Sequence, residues 1–228
     1  MQGGAMQADF EGLFGAALPF WDALETREKK QMTGSAQMKQ FEPGEVMHNG
    51  SGDCQGLFVI ETGRIRIFLI SETGREITLY RLFDGDVCIF TASCILKNIT
   101  FELFVAAEAP TRAAVIPPKV FERLSATSLP VSDFAGKLMA SRFSDVMWIV
   151  EQVLFMSFDK RLAIFLLDQA GIEGSDTLRI THEEIANHLG SAREVVGRML
   201  KYFAAEGIVK PFRGGIKIID RKKLAALA

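Results

Sequence analysis

Residues Thr181 to Glu206 read THEEIANHLGSAREVVGRMLKYFAAE, and their spacing describes two short helices joined by a tight turn. Thr181 and Glu184 stand at capping-box distance, and Ile185, Ala186 and Leu189 then give a first helix its apolar stripe. Gly190 ends that helix. Ser191 is placed to cap a second one, in which Val195, Val196, Met199, Leu200 and Phe203 face inward while Arg193, Glu194, Gly197 and Arg198 fall on the opposite face. The major groove of DNA admits a helix, arginine can bond guanine O6 and N7 as a fork, and glutamate can accept from cytosine N4. Arg193, Glu194 and Arg198 on one face therefore form a base-reading set. The blander reading of an isolated helix pair is a solvated charged face, with Glu194 closing a capping box on Ser191.

The flanking residues favour the first reading. Gly207 to Lys210 and Gly214 to Ile219 have the pattern of two short strands with a Gly-Gly turn, so a hairpin carrying Lys210 and Arg213 follows the helix pair. Helix, turn, helix and basic hairpin make a winged helix-turn-helix. The candidate DNA-binding residues are Arg193, Glu194 and Arg198, with Ser191 and Thr181 at the helix starts and Lys210 and Arg213 in the wing.

Charge is distributed accordingly. The 228 residues carry a formal net charge of -2, yet residues 160–228 hold 12 Lys+Arg against 8 Asp+Glu, net +4, leaving -6 for the rest. The positive end is the end with the helix pair. A chain that is 48% hydrophobic and 24% charged can form two modest cores. The three cysteines, Cys54, Cys88 and Cys94, have no metal-ligand spacing and no disulfide framework, as in a reducing cytoplasm. No signal-peptide pattern and no bilayer-length apolar run occurs, so a cytoplasmic protein without membrane contact is expected.

From Phe41 to about Ile116 the sequence is strand-like, as in Gly56 to Ile60 and Arg64 to Ile70. Gly44, Gly63, Gly74 and Gly85 punctuate it where short strands reverse, which predicts a rolled antiparallel barrel. After Pro130 a long helical pattern runs through Phe134, Leu138, Phe143, Met147, Val150 and Leu154, widened by Met139, Val146, Ile149 and Val153. A helix so apolar needs cover on two sides. One side can rest on the barrel and the other on a second copy, as a coiled-coil-like dimer seam, or the whole helix can be covered within one subunit. Phe158-Asp159-Lys160 breaks the pattern before a helix at Arg161 to Gln169.

Barrel, long helix, hinge and winged helix-turn-helix, in that order, resemble the CRP/FNR family of bacterial transcription regulators. SAREVVGRML at Ser191 to Leu200 is similar to the recognition helix of the family's cyclic AMP receptor branch, whose outward Arg, Glu and Arg match Arg193, Glu194 and Arg198. The resemblance implies an α+β fold: an N-terminal β-roll like cyclic-nucleotide-binding barrels over residues 1–130, a dimerisation helix and hinge over 131–158, and the DNA-binding domain over 159–228. It further implies a homodimer on a palindrome of TGTGA-like half-sites, RNA polymerase as a partner, and Phe158-Asp159 as the hinge through which a small-molecule effector acts.

The sensor end departs from the family's best-known members. Cyclic AMP binders place a Gly-Glu pair and an Arg-Ser or Arg-Thr pair around the phosphate. Anchored on the Gly85-Asp86 turn and on Ile116, these fall on Ile89-Phe90 and Phe101-Glu102, where a carboxylate has the wrong sign for phosphate. Cyclic AMP is therefore not expected. An iron-sulfur cluster of the FNR kind needs three N-terminal cysteines, and none precedes Cys54. Haem is not expected either, since His48 is the only histidine outside the DNA-binding domain. A pocket in the family's position would be lined by Cys88, Ile89, Phe90, Cys94 and Phe101, which suits an apolar or aromatic molecule. Cys88 and Cys94 are a redox pair or, more commonly for free cysteine, small buried hydrophobes. His182 and His188 are expected on the surface of the helix pair, not as metal ligands. Two other classes compete: a cupin-like metal-dependent enzyme, for which one barrel histidine is too few, and a sensor scaffold without DNA binding, which the Arg-Glu-Arg set disfavours.

Overall fold

The computed structural model describes residues 9–50, 55–90 and 102–228. They divide into two compact units, Met1–Phe68 with Leu79–Asp145 and Leu69–Thr78 with Val146–Ala228. The class is α+β.

In the first unit three helical segments precede the strands among the described residues. Asp9 caps α1 (Phe10–Ala17) by accepting from the Gly12 N–H at 2.9 Å, a 3-10 turn covers Trp21–Ala23, and α2 spans Thr26–Ser35. Among the described residues eight strands follow: β1 Gln37–Phe41, β2 Val46–Asn49, β3 Leu57–Thr62, β4 Ile65–Ile70, β5 Glu76–Leu82, β6 Val87–Cys88, β7 Phe104–Ala107 and β8 Thr111–Ile116. They form two four-stranded sheets, ordered β1-β8-β3-β6 and β2-β7-β4-β5, with antiparallel pairing such as Val59 to Ala114 and Ile67 to Val105. This is the rolled antiparallel barrel that the glycine spacing predicts.

The core explains why these residues choose strands. Ile65 and Ile67 are buried from one face of β4, and Val105, Ala106 and Ala107 are all buried in β7 beside it. β3 is instead buried continuously from Leu57 to Ile60 because α1 covers its other side. Two glycines are dictated by the packing. At Gly63 (φ 117°) a Cβ would strike Thr111 and the Pro110 carbonyl, and at Gly56 (φ 119°) it would strike the Ile116 carbonyl. Glu108 joins the strand ends, paired with the Arg64 guanidinium at 2.9 Å and accepting from Arg81 at 2.7 Å. Helix α3 (Pro118–Thr127) starts on a proline, which suits a first helical turn, and buries Phe121 and Leu124.

The long helix α4 runs from Leu129 to Phe155. It begins two residues before the expected start because Pro130 lies in its first turn, where the missing N–H costs nothing. Val131 and Gln152 are buried, whereas Phe143 (67% exposed), Met147 (45%), Val150 (38%) and Leu154 (66%) stand out at spacings of four, three and four residues. Alternate steps of four and three residues are the spacing of a coiled-coil seam. The helix ends ahead of the expected break at Phe158-Asp159-Lys160. The interruption is at Met156-Ser157, and Phe158 already starts α5 (Phe158–Glu173). Asp159 sits in the first turn of α5, its carboxyl held below the usual carboxylate range chiefly by a hydrogen bond with Ser157.

The second unit contains α5, β9 (Thr177–Leu178), α6 (His182–Leu189), α7 (Arg193–Ala205), β10 (Val209–Phe212), β11 (Gly215–Ile218) and α8 (Arg221–Leu227). Leu162, Leu166, Ile185, Val196, Leu200, Phe203, Ile216 and Leu224 form its core. The sheet order is β10-β11-β9. The hairpin turn is Arg213-Gly214, not the expected Gly-Gly, because Phe212 pairs with Gly215 and Gly214 takes the positive φ of 80°. Residues Leu69–Thr78, the outer part of the β4–β5 hairpin, also belong here: Ile77 bridges to Leu189, and Thr78 Oγ1 lies 2.8 Å from His188 Nδ1. His188 is thus half-buried, its ring 5.1 Å from that of Phe165, and not a surface group.

Candidate nucleic-acid interface

Thr181 closes the predicted capping box on α6. Its hydroxyl accepts from the Glu184 N–H at 3.2 Å while Glu184 accepts from the Thr181 N–H at 2.6 Å. At the other end Gly190 adopts a left-handed φ of 63°, and the Ser191 N–H returns to the Ala186 carbonyl at 3.0 Å. Arg161 of α5 donates to the Leu189 carbonyl and so fixes the last turn of α6; burial lowers its pKa, without prospect of deprotonation near neutrality. These bonds hold the turn that aims α7.

Ala192, not Ser191, occupies the N-cap of α7, and no side chain caps it. Ser191 is half-buried in the turn, and the alternative capping box with Glu194 does not form. Val196, Leu200 and Phe203 are buried, with Val195 and Met199 half-buried beside them. Arg193, Glu194 and Arg198 are exposed, and none is engaged in an ion pair with another described residue. A helix that spends its apolar face on the core and leaves an unpaired Arg-Glu-Arg set outward has side chains available for hydrogen bonding to another molecule. An arginine tied into an internal ion pair would have had to break it first.

The wing carries Lys210 and Arg213, both exposed. Lys217, which the strand alternation in Gly215-Ile216-Lys217-Ile218 could have indicated, is the direct cross-strand partner of Lys210. Between wing and helix pair lies a crevice of about 440 Å³ lined by Ile180, Thr181, His182, Glu183, Arg193, Phe212, Gly214 and Gly215. Phe212 and His182 are members that sequence pattern does not single out.

Of the expected effector-pocket residues, Cys88, Ile89 and Phe90 are buried in the first unit, while Cys94 and Phe101 lie outside the described residues. Near them are two residues not foreseen. The Tyr80 ring centroid is 6.3 Å from that of Phe90, and the Arg142 guanidinium stands 5.0 Å over the Tyr80 ring while bonding Asp145 at 2.9 Å. Burial, reinforced by Cys88, pushes the Tyr80 phenol far up, so it stays a neutral donor. Among the described residues no three His, Cys, Asp or Glu side chains converge as a metal site. None of their helices is long and apolar enough to cross a membrane.

Comparison with known proteins agrees with this architecture. Residues 38–128 match the profile of the cyclic nucleotide-binding domain and residues 160–227 that of the Crp-like helix-turn-helix domain. The structure of a protein assigned to the CRP/FNR family, from Eubacterium rectale, superposes with a TM-score of 0.91 at 47% identity, covering 92% of this chain and 98% of that one. Electron transport regulator A of Shewanella oneidensis is 27% identical over 223 residues, 92% of this chain and 86% of that protein. Vfr of Pseudomonas aeruginosa, a cAMP-activated global transcriptional regulator, is 29% identical over 170 residues, 70% of this chain and 78% of that protein. A nucleotide-binding-type roll, a long helix and a Crp-like helix pair with an outward Arg-Glu-Arg set thus identify the chain as a member of the CRP/FNR family, a DNA-binding transcription regulator with an effector-binding domain.

Proposed function

We propose that the protein is a cytoplasmic homodimer that reads an inverted repeat of TGTGA-like half-sites and acts by binding, not by catalysis. The observation that carries this reading is the exposed, unpaired Arg193-Glu194-Arg198 face of α7. Arg193 and Arg198 bond guanines, Glu194 accepts from a cytosine amino group, and Thr181, Ser191, Lys210 and Arg213 contact phosphates. The seam of α4 supports dimerisation. Gly136 and Ala140, also exposed, continue its spacing towards the N-terminus, where small residues let two helices approach closely. Two symmetric reading helices then enter successive major grooves, so the half-site centres lie about one helical turn apart.

Residues 1–130 sense the effector, 131–158 join the protomers and carry the hinge, and 159–228 bind DNA, with RNA polymerase as downstream partner. The effector is an uncharged or weakly polar aromatic molecule. Support comes from the buried Cys88, Ile89 and Phe90 and from the neutral phenol of Tyr80 beside Arg142. Such a ligand shifts the balance between DNA-competent and incompetent arrangements only by its differential affinity for them. Selection of binding sites from random duplexes tests the DNA reading, and a thermal-shift screen of small aromatics, nucleotides, haem and oxidants tests the sensor reading through linkage.

A further inference from the structure

We infer that the outer face of the wing holds a stretch of DNA backbone through mixed chemistry, the Phe212 ring packing on a deoxyribose while Lys210 and Lys217 together hold the adjoining phosphate. The inference rests on the proposed DNA reading and deepens it. In the β10–β11 register Lys210 stands opposite Lys217 and Phe212 opposite Gly215, so these four share one face and Val209, Pro211, Ile216 and Ile218 share the other. Like charges directly opposed in an antiparallel pair repel. Neither lysine has an ion-pair partner among the described residues, and both are exposed. An anion between them relieves the repulsion.

Phe212 adds an apolar element to that face. The ring lies across Gly215, where its Cζ occupies the space that a Cβ would need, and it remains 43% exposed as a wall of the crevice that also contains Arg193 and Thr181. An exposed aromatic ring flanked by the lysine pair and Arg193 matches a polymer whose surface alternates charged phosphate with apolar sugar. Glu183 is the carboxylate in the crevice lining. Arg193 in the same lining offsets its charge, and the exposed ring is the apolar surface there that a sugar meets.

Fluorescence-anisotropy titrations of a duplex carrying the selected palindrome, at several salt concentrations, test this. Phe212→Ala should weaken binding about tenfold, as expected from losing the burial of a half-exposed ring in each of two wings, with the slope of log affinity against log salt unchanged. Phe212→Tyr should bind as wild type. Lys217→Ala should flatten the slope as Lys210→Ala does. Should Phe212→Ala lower the unfolding temperature, Phe212→Leu, which keeps cover over Gly215, takes its place with a loss of about threefold expected. Wild-type affinity in Phe212→Ala or in its substitute Phe212→Leu, a changed salt slope in either, or an unchanged slope in Lys217→Ala would each overturn the inference. Failure of the wild-type protein to bind any selected duplex would instead sink the DNA reading beneath it.

Discussion

Replacing Val150 with Glu should convert the dimer into monomers, and the structure gives the size of the effect. Phe143, Met147, Val150 and Leu154 keep 67, 45, 38 and 66% of their surface exposed in the single chain. Burying the exposed part of each is worth about 1 kcal/mol, and a two-fold seam does so twice, for a gross gain of about 8 kcal/mol before the cost of association. A glutamate at position 150 removes two of these contributions. It also sets two carboxylates facing each other in a desolvated seam, where each unpaired charge costs a few kcal/mol. A weakening of at least about 4 kcal/mol, roughly a thousandfold in the dimer dissociation constant, follows. Sedimentation velocity at micromolar concentration reads it directly. Val153→Glu, at the edge of the same stripe, should weaken the dimer less. The reasoning fails if Val150→Glu remains dimeric at wild-type affinity, or if the wild-type protein is itself a monomer at that concentration.

Further outcomes concern the wing, the roll and the effector. Lys210→Ala and Arg213→Ala should weaken binding to all sequences alike and flatten its salt dependence, which titrations against matched and scrambled duplexes would show; a loss confined to one sequence would contradict it. Gly63→Ala should destabilise the protein by about 2 kcal/mol or more in chemical unfolding, because the backbone is left-handed and Thr111 and Pro110 occupy the space of the new methyl group. Unchanged stability would refute that packing. Calorimetry with cyclic AMP should show no saturable micromolar binding that raises DNA affinity. If it does, the placement of Phe101-Glu102 at the phosphate position is wrong.

The helix pair was legible because its signals are local. A capping box, a left-handed glycine and an apolar stripe each lie within a few residues, and each recurs in the structure. Two of the boundaries that shifted involve proline. The long helix is expected to begin after Pro130, which in fact fits the first turn of α4, and Pro211 hid the end of β10, which tolerates it because β10 is an edge strand that need not donate outward. The N-terminal helices escaped notice since their short apolar sets, such as Phe14 and Trp21, acquire meaning only against β3 and each other. The same holds for Ile77 and Thr78 beside Leu189 and His188, contacts more than a hundred residues apart in sequence. At the site, the three outward charges of α7 followed from helical period alone. Lys217 and Phe212 needed the strand register, and Tyr80 and Arg142 needed the packing of α4 near β5.

Binding-site selection with the wild-type protein and with Arg198→Ala tests most directly whether α7 reads DNA. The wild type should return an inverted repeat of TGTGA-like half-sites with centres about one helical turn apart. Arg198→Ala should return the same repeat with preference relaxed at one base pair and affinity reduced by about 1 to 3 kcal/mol. A selection that yields no palindrome, or an Arg198→Ala protein with unaltered base preference, would contradict the assignment of α7 as the reading helix.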